Sequence, residues 1–136
     1  MPITQHETAL YGTLSQDSDL ISELGGTAIY NKRAPQSPPS KYVIFQWQGG
    51  GYENESPHET VNVVYAIFGI AATQAEAAAI DDKIRAALHG QTLSVTGWTN
   101  FWCMREDHIS FVEEDSGGVA KYRAGAIYRI RSDKNG

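Results

Sequence analysis

The longest regular pattern of apolar positions runs through residues 60–90. Residues 60–70 are rich in β-branched and aromatic side chains, which is typical of a strand buried on both faces. Thr73 and Glu76 then form a capping box, in which each side chain satisfies a free backbone amide at a helix start. Apolar residues recur every three or four positions up to Gly90, which suits a left-handed helix end. The pattern predicts a strand that leads directly into an amphipathic helix.

The region before residue 27 has the pattern of one kinked helix or of two short helices. Leu10 and Leu14 lie one helical turn apart, and residues 20–24 form a second short apolar pattern. A capping box at residues 4–7 predicts the start of the first helix, and two glycines at 25–26 predict the end of the second. We expect both to dock through one face.

Two strands and a long loop follow. Residues 27–33 and 41–48 have the composition of strands, and the proline-rich residues 34–40 between them form an extended loop. Residues 49–59 are rich in glycine and acidic residues, which predicts a long flexible loop. Because long loops on rigid sheets often bind partners, this loop is a candidate for function, and the alternative is a disordered hairpin tip.

The segment after the central helix is less regular. Residues 91–97 are predicted as a strand in which Leu93 and Val95 face inward. The aromatic segment 98–102 fits a strand, a turn or an exposed patch. Its tryptophans fit either a binding surface or a cover over the core.

A hairpin closes the chain. Residues 108–113 are predicted as a strand, and 114–118 have the composition of a tight turn. The last strand covers residues 119–131, and the tail 132–136 is expected to fray.

The last strand has one apolar and one arginine-rich face. The residues of even number between 122 and 130 face one way, and most are apolar. The other face carries the arginine row, defined as Arg123, Arg129 and Arg131, interleaved with Ile127. If the first face belongs to the core, the arginine row lies on a surface.

These elements predict an α+β fold in a single domain that spans residues 1–136. We expect a mostly antiparallel sheet of about four to six strands, with two main helices packed on it.

Composition and charge narrow the function classes. The chain has a formal net charge of −5 and a single cysteine. The charge argues against nucleic-acid binding by the whole surface, and one cysteine excludes an internal disulfide and suits a reducing compartment. No apolar run approaches the roughly 20 residues of a membrane span, and the N-terminal residues lack the features of a signal peptide.

The sequence contains no catalytic, cofactor-binding or metal-binding motif. The acid–histidine pairs at residues 58–59 and 107–108 are adjacent, and neighbours on a strand point to opposite faces, so neither pair forms a dyad. Asp81 and Asp82 are expected on the solvated side of their helix. Cys103 is expected to be a buried structural thiol.

Charged residues point to an assembly surface instead. Acids in the glycine-rich loop and in the hairpin turn are complementary to the arginine row, so that one copy of the chain can contact another. The row also suits contacts with phosphates, or simple solvation of the sheet. The candidate interface residues are Tyr52, Glu53, Glu55, Glu59, Glu113, Glu114, Asp115, Arg123, Arg129 and Arg131.

The order of the elements resembles a known family. The features that carry the resemblance are the helix end at Gly25-Gly26, segments 28–30, 34–36 and 41–46, the glycine-rich acidic loop, the strand 61–70, the helix 73–90, and the closing Tyr122-Arg123 and Tyr128-Arg129-Ile130. In this combination the chain resembles the tail-completion or tail-terminator proteins of long-tailed bacteriophages, a group related in fold to the lambda minor tail protein U.

The resemblance implies a structural protein of the virion tail or neck. Such proteins form a homo-oligomeric ring, commonly a hexamer, that caps the tail tube, ends its polymerisation and offers a surface to the head connector or stopper protein. The resemblance implies no enzyme activity, no cofactor and no membrane contact. DNA is only passing cargo in the channel, and assembly takes place in the cytoplasm of the host bacterium.

Two alternative functions remain at this point. One is another neck or tail component, namely a head-closure stopper or a tube subunit. The other is a small α+β ligand-binding or enzymatic domain, such as a dimeric barrel of ferredoxin-like halves. Its pocket would lie between helix and sheet, with His108 or His58 at the mouth.

Overall fold

The computed structural model describes residues 2–36, 38–53, 60–114 and 120–134. Within these ranges the chain forms three helices and five strands. In chain order they are α1 (Pro2–Ser15), α2 (Ser18–Leu24), β1 (Ile29–Asn31), β2 (Tyr42–Glu53), β3 (Thr60–Ala71), α3 (Gln74–Leu88), β4 (Trp98–Glu114) and β5 (Ala120–Lys134).

The strands form one mixed sheet in the order β1-β2-β3-β5-β4. The short strand β1 runs parallel to β2, and every other neighbouring pair is antiparallel. The sheet therefore consists of two long hairpins, β2–β3 and β4–β5, joined where β3 pairs with β5. This arrangement confirms the α+β fold and the mostly antiparallel sheet.

All three helices pack on one face of the sheet, which we call the helix face. Each helix contributes a stripe of leucine, isoleucine or alanine, spaced by three or four residues, to one continuous core. That core contains Leu10 and Leu14 of α1, Leu20 and Leu24 of α2, and Ile80, Ile84 and Leu88 of α3, packed on Val43, Phe45, Val61, Val63, Tyr65, Ile67, Tyr128 and Ile130.

The central unit, β3 followed by α3, is the strand and capped helix that the apolar pattern of residues 60–90 predicted. The Thr73 hydroxyl accepts a hydrogen bond from the Glu76 amide at 3.2 Å and donates one to the Glu76 carboxylate at 2.9 Å, which is the predicted capping box. Gly90 has a φ of +75°, as expected of a left-handed helix end. At Gly69 the helix lies so close to the strand that an added Cβ would stand 2.5 Å from Ile80 Cγ2.

Both hairpins extend further than the sequence predicted. Residues 49–53, which we predicted as the start of the flexible loop, continue β2 and pair with β3 as far as Glu53 opposite Thr60. Residues 132–134, predicted as a frayed tail, belong to β5, and Ser132 is fully buried. The reason is that ladder hydrogen bonds to a long neighbouring strand outweigh the low strand propensity of glycine and polar residues. The predicted loop residues 54–59, most of the predicted turn and residues 135–136 lie outside the described residues.

Two predictions of local structure are wrong. Helix α1 begins at Pro2, so residues 4–7 lie inside the helix and not at its start, because proline is well suited to a first helical position. Residues 92–97 form no strand, although Leu93 and Val95 are buried as predicted. There the side chain of Asn100 accepts a hydrogen bond from the Leu93 amide at 2.7 Å, which replaces a strand partner.

The opposite face of the sheet, which we call the outer face, carries a second apolar cluster. Its buried members are Ala28, Tyr42, Ile44, Ala66, Phe68 and Ile70, and none of them belongs to a helix. The partly buried Ile109 and Ile127 pack against this cluster. The arginine row and this apolar cluster therefore lie on the same face of the sheet.

Candidate assembly surface

Strand β5 separates its apolar residues from its arginines as the alternation predicted. Ala124, Ala126, Tyr128 and Ile130 are buried in the core of the helix face. The arginine row lies on the outer face, where β5 is flanked by β3 on one side and by β4 on the other. All members of the row are partly exposed.

Two arginines of the row are held by acids of the same chain. Arg123 Nη2 lies 3.0 Å from Glu113 Oε2, across the β4–β5 hairpin. Arg129 Nε lies 3.1 Å from Glu106 Oε2, and its Nη1 donates to Asn62 Oδ1 at 3.0 Å. Glu113, which the sequence pointed to as a contact with a neighbouring copy, thus pairs with an arginine of its own chain, and its side chain is 50% exposed.

Aromatic side chains of β4 lie beneath the guanidinium groups. Arg123 lies 5.6 Å from the ring centre of Phe111, and Arg131 lies 5.6 Å from that of Phe101. Such cation–π contacts each contribute about 0.5–1 kcal/mol at exposed sites. Phe101, Met104 and Phe111 are nevertheless 39–41% exposed. We call these three residues and the arginine row together the outer-face patch.

Three other predicted interface residues lie at the ends of strands. Tyr52 and Glu53 lie at the end of β2, opposite Val61 and Thr60, whereas Glu114 ends β4 opposite Ala120. The strand register puts these two groups at opposite ends of the sheet. Glu55, Glu59 and Asp115 lie outside the described residues.

A buried ion pair joins α3 to β4. Asp81 is only 5% exposed, and its two oxygens accept from Arg105 Nη1 and Nη2 at 2.8 and 2.7 Å. The prediction that Asp81 lies on the solvated side of the helix is therefore wrong, while Asp82 is exposed as expected. The sequence contains no local signal for this pair, because its partner lies on another element and becomes a neighbour only in the folded chain.

The ion pair extends into a small polar cluster. Arg105 Nη1 also donates to the Tyr128 hydroxyl at 3.0 Å, and Arg105 Nη2 lies 2.9 Å from His108 Nδ1. The hydrogen bonds that Arg105 donates to Asp81 raise the pKa of Arg105 further above its ordinary value. Burial raises the pKa of Tyr128 to about 12. Arg105 is therefore charged and the Tyr128 hydroxyl neutral at neutral pH, and the cluster is a structural lock between helix and sheet.

The single cysteine is structural, as predicted. Cys103 is fully buried in the core of the helix face, and burial raises the pKa of its thiol to about 12. A thiol with this pKa carries almost no thiolate at neutral pH and is a poor nucleophile. Among the described residues, no group of three or more histidine, cysteine, aspartate or glutamate side chains is placed to hold a metal ion.

A buried polar network that the sequence did not reveal ties α1 to the ends of β4 and β5. His6 is fully buried, and its Nε2 lies 2.9 Å from the Ser132 hydroxyl. Asn100 Nδ2 donates to the same hydroxyl at 3.1 Å. Trp98 Nε1 donates to Gln5 Oε1 at 2.6 Å, which identifies Trp98 as a buried cover of the core. The one available signal was the spacing of His6 from Leu10 on the apolar side of α1.

Two open grooves of similar size flank α1. One, of about 490 Å³, is lined mostly by threonine, glutamine and serine of α1 and of residues 94–96. The other, of about 480 Å³, lies between α1 and β1. Neither is lined by His108, the residue that an enzymatic pocket would have used, and His58 lies outside the described residues. None of the three described helices combines the length and apolar character that crossing a membrane requires.

Comparison with known proteins gives one family and a shared fold. The model of the family described as "Tail completion protein gp17" matches residues 8–125. A chain in the solved virion of a native gene transfer agent particle is 21% identical, with a TM-score of 0.77 and 93% of each chain covered. A second solved chain, which carries no functional name, is 9% identical, with a TM-score of 0.59 and 100% of this chain and 97% of that one covered. At these identities the two structures show the fold alone. No curated protein matches the sequence.

Proposed function

The chain belongs to the tail completion protein gp17 family, a family of structural phage tail proteins, and from this membership we propose that it is the subunit of a ring that caps a tail tube. In this role the ring ends the polymerisation of the tube and presents its free side to the head connector or stopper protein. The protein does no chemistry of its own. The protein is a component of the virion, and the virion is assembled in the cytoplasm of the host bacterium.

The family match carries this proposal, because it covers most of the chain, from the first helix to β5. Two observations on the described residues support it. The buried polar groups lock helices to the sheet and converge on no open pocket. The exposed apolar residues, by contrast, are concentrated on one long strand, as expected of a protein whose work is contact with other proteins.

A ring of identical subunits requires two different surfaces on each copy, so that each contact repeats until the ring closes. We propose a hexamer, with a channel that DNA crosses without binding tightly. The net charge of −5 favours such passage, because a negative wall repels phosphates.

The outer-face patch is our candidate for a contact in this assembly, together with the acids at the two ends of the sheet. Because Glu113 and Glu106 already hold two of the arginines, the guanidinium planes are fixed before any partner arrives. Preorganised arginines beside exposed aromatic rings resemble the residues that contribute most energy to protein interfaces. The partner is the tail tube or the next copy of the chain.

The proposal is tested by light scattering of the purified protein, after size-exclusion chromatography, alone and with its tail tube protein. We expect a closed ring of defined mass that forms or tightens when the tube is present. A stopper would bind the connector but not the tube, and a tube subunit would polymerise without limit. A monomer that ignores the tube would contradict the proposal.

A further inference from the structure

Strand β4 lies at one edge of the sheet, and within the described residues the chain covers the first half of that edge. Gly90 N donates to Cys103 O at 2.8 Å, and Cys103 N donates to Gln91 O at 3.0 Å. Arg105 N donates to His89 Nδ1 at 3.0 Å. These bonds protect the edge up to a bulge between Arg105 and His108.

Beyond the bulge the edge is open. From His108 to Glu113, β4 pairs with β5 on one side and with no described strand on the other. Val112 is 53% exposed, the highest value among the exposed large apolar residues of the described chain, and Phe111 is 39% exposed. Proteins normally protect such an edge with charges, prolines or a covering segment, because open apolar edges bind other chains.

A complementary surface lies at the other edge of the sheet. The groove of about 480 Å³ between α1 and β1 is lined by Tyr11, Ile29, Tyr30, Phe45 and Arg33, among other residues. Tyr11 is itself 43% exposed at this groove. The groove is therefore amphipathic and open, with aromatic and aliphatic walls that suit an apolar side chain.

The exposed charged residues of the two edges differ in sign, while Glu7 of α1 adds one acid to the lining of the groove. Lys32 and Arg33 follow β1, are exposed, and take part in no ion pair with a described residue. In the bulge just before the open half of β4, Asp107 is exposed, and in the open half the Glu113 side chain is 50% exposed although it contacts Arg123. Acids at one edge and unpaired bases at the other favour a contact between different edges over one between identical edges.

We propose that the open half of β4 in one copy docks against the β1–α1 groove of the next copy. Val112, whose partner Tyr122 packs against the core of the helix face, enters the groove, while Asp107 and Glu113 lie near Lys32 and Arg33 of that next copy. The two surfaces occupy opposite edges of one sheet, so the contact is heterologous and repeats around a ring. This inference rests on the proposed ring and names the contact that holds it together.

Cross-linking tests this contact. Cysteines are introduced at Val112→Cys on the β4 edge and at Asn31→Cys beside the groove, and the double variant is joined with a short bis-maleimide in the presence of the tube protein. Cys103 does not interfere, because it is fully buried. We expect a ladder of covalent oligomers that ends at the size of the ring. The matched control combines Val112→Cys with Ala86→Cys on the exposed surface of α3, and we expect no ladder from it.

A second variant measures the strength of the contact. Val112→Asp should weaken ring formation by about tenfold or more, because it puts a charge into an apolar groove. The control Ala86→Asp should leave ring formation unchanged. Val112 is more than half exposed, so its substitution should spare the fold, and the melting temperature of each variant checks this.

The outcomes separate this inference from the proposed function. One outcome would contradict the contact but not the ring. In it, the wild type forms rings on the tube, while the double variant gives no ladder and Val112→Asp assembles normally. Covalent dimers from Val112→Cys alone would indicate a symmetric β4–β4 contact and overturn the inference. If the wild type forms no ring at all, both proposals fall.

Discussion

At the residue scale, breaking the ion pair between Asp81 and Arg105 is expected to cost the fold much of its stability. Both side chains are largely buried, at 7% and 12% exposure, and both carboxylate oxygens of Asp81 accept hydrogen bonds from the Arg105 guanidinium. A buried charge without its partner is far more costly than an exposed one. The pair therefore fixes where α3 sits on the sheet, and so indirectly where β4 lies.

We predict that Asp81→Asn lowers the free energy of unfolding by about 3 kcal/mol, because it leaves Arg105 without its carboxylate. Urea-induced unfolding measures the change. Asp82→Asn is the matched control, since its side chain is exposed, and it should change stability by less than about 0.5 kcal/mol. Equal effects at the two positions would show that the ion pair does not stabilise the fold.

The buried thiol of Cys103 makes stability depend on alkaline pH. Its pKa is raised from 9.0 to about 12 in the folded chain, so unfolding allows the thiol to lose its proton at a lower pH. The stabilisation is complete below pH 9 and is lost as pH rises towards 12. Between pH 8 and 10.5, Cys103→Ala should therefore lose about 1–2 kcal/mol less stability than the wild type. Parallel losses in both proteins, followed by urea unfolding, would contradict this account.

At the scale of elements, helix α3 lies close against the sheet at Gly69. An added Cβ there would stand 2.5 Å from Ile80 Cγ2 and 3.2 Å from the backbone oxygen of Ala77, so the helix cannot keep its position. We predict that Gly69→Ala destabilises the fold by about 1–3 kcal/mol.

The same substitution at Gly12 is the control for Gly69→Ala. Gly12 lies inside α1, and an added Cβ there meets nothing within 4 Å. Gly12→Ala should stabilise the protein by about 0.5–1 kcal/mol, because alanine favours the helix. Thermal unfolding compares both variants, and a neutral Gly69→Ala would mean that α3 is free to shift on β3.

Elements also differ in how far the sequence predicted them. Strand β3 and helix α3 follow from periodicity and from the Thr73 cap, because both signals are local. The extension of β2 to Glu53 and of β5 to Lys134 did not follow, because pairing with a long neighbour decides it. Likewise, alternation predicted that the arginine row faces away from the core, but the pairing of Arg129 with Glu106 depends on the register between β4 and β5.

The outer-face patch gives a prediction at this scale. Arg129→Glu should weaken ring formation by about tenfold, since it removes one arginine of the patch and puts two carboxylates together. The double variant E106R/R129E restores the internal ion pair while it still removes Arg129. We expect the double variant to recover stability but not assembly, as measured by melting and by light scattering. Normal rings from both variants would rule out the patch as a contact.

At the scale of the whole molecule, the architecture is one rigid sheet with a helical layer on one face and two unlike edges. The polar locks at Asp81–Arg105 and His6–Ser132 hold that layer in place. Four exposed apolar residues of β4 are then left to contact partners. Phe101, Met104 and Phe111 lie in the outer-face patch, and Val112 lies on the open half of the edge. A body of this kind suits a stack of rings, in which each subunit contacts neighbours sideways and along the axis.

In its proposed function, the whole molecule ends a growing tail tube. The most direct measurement is electron microscopy of tubes polymerised from the tail tube protein with increasing amounts of this chain, gold-labelled at an added terminal tag. We predict that tubes become shorter as the ratio rises and that label is found at one end of each tube. Label along the length of the tubes, or tubes of unchanged length with unlabelled ends, would contradict the account.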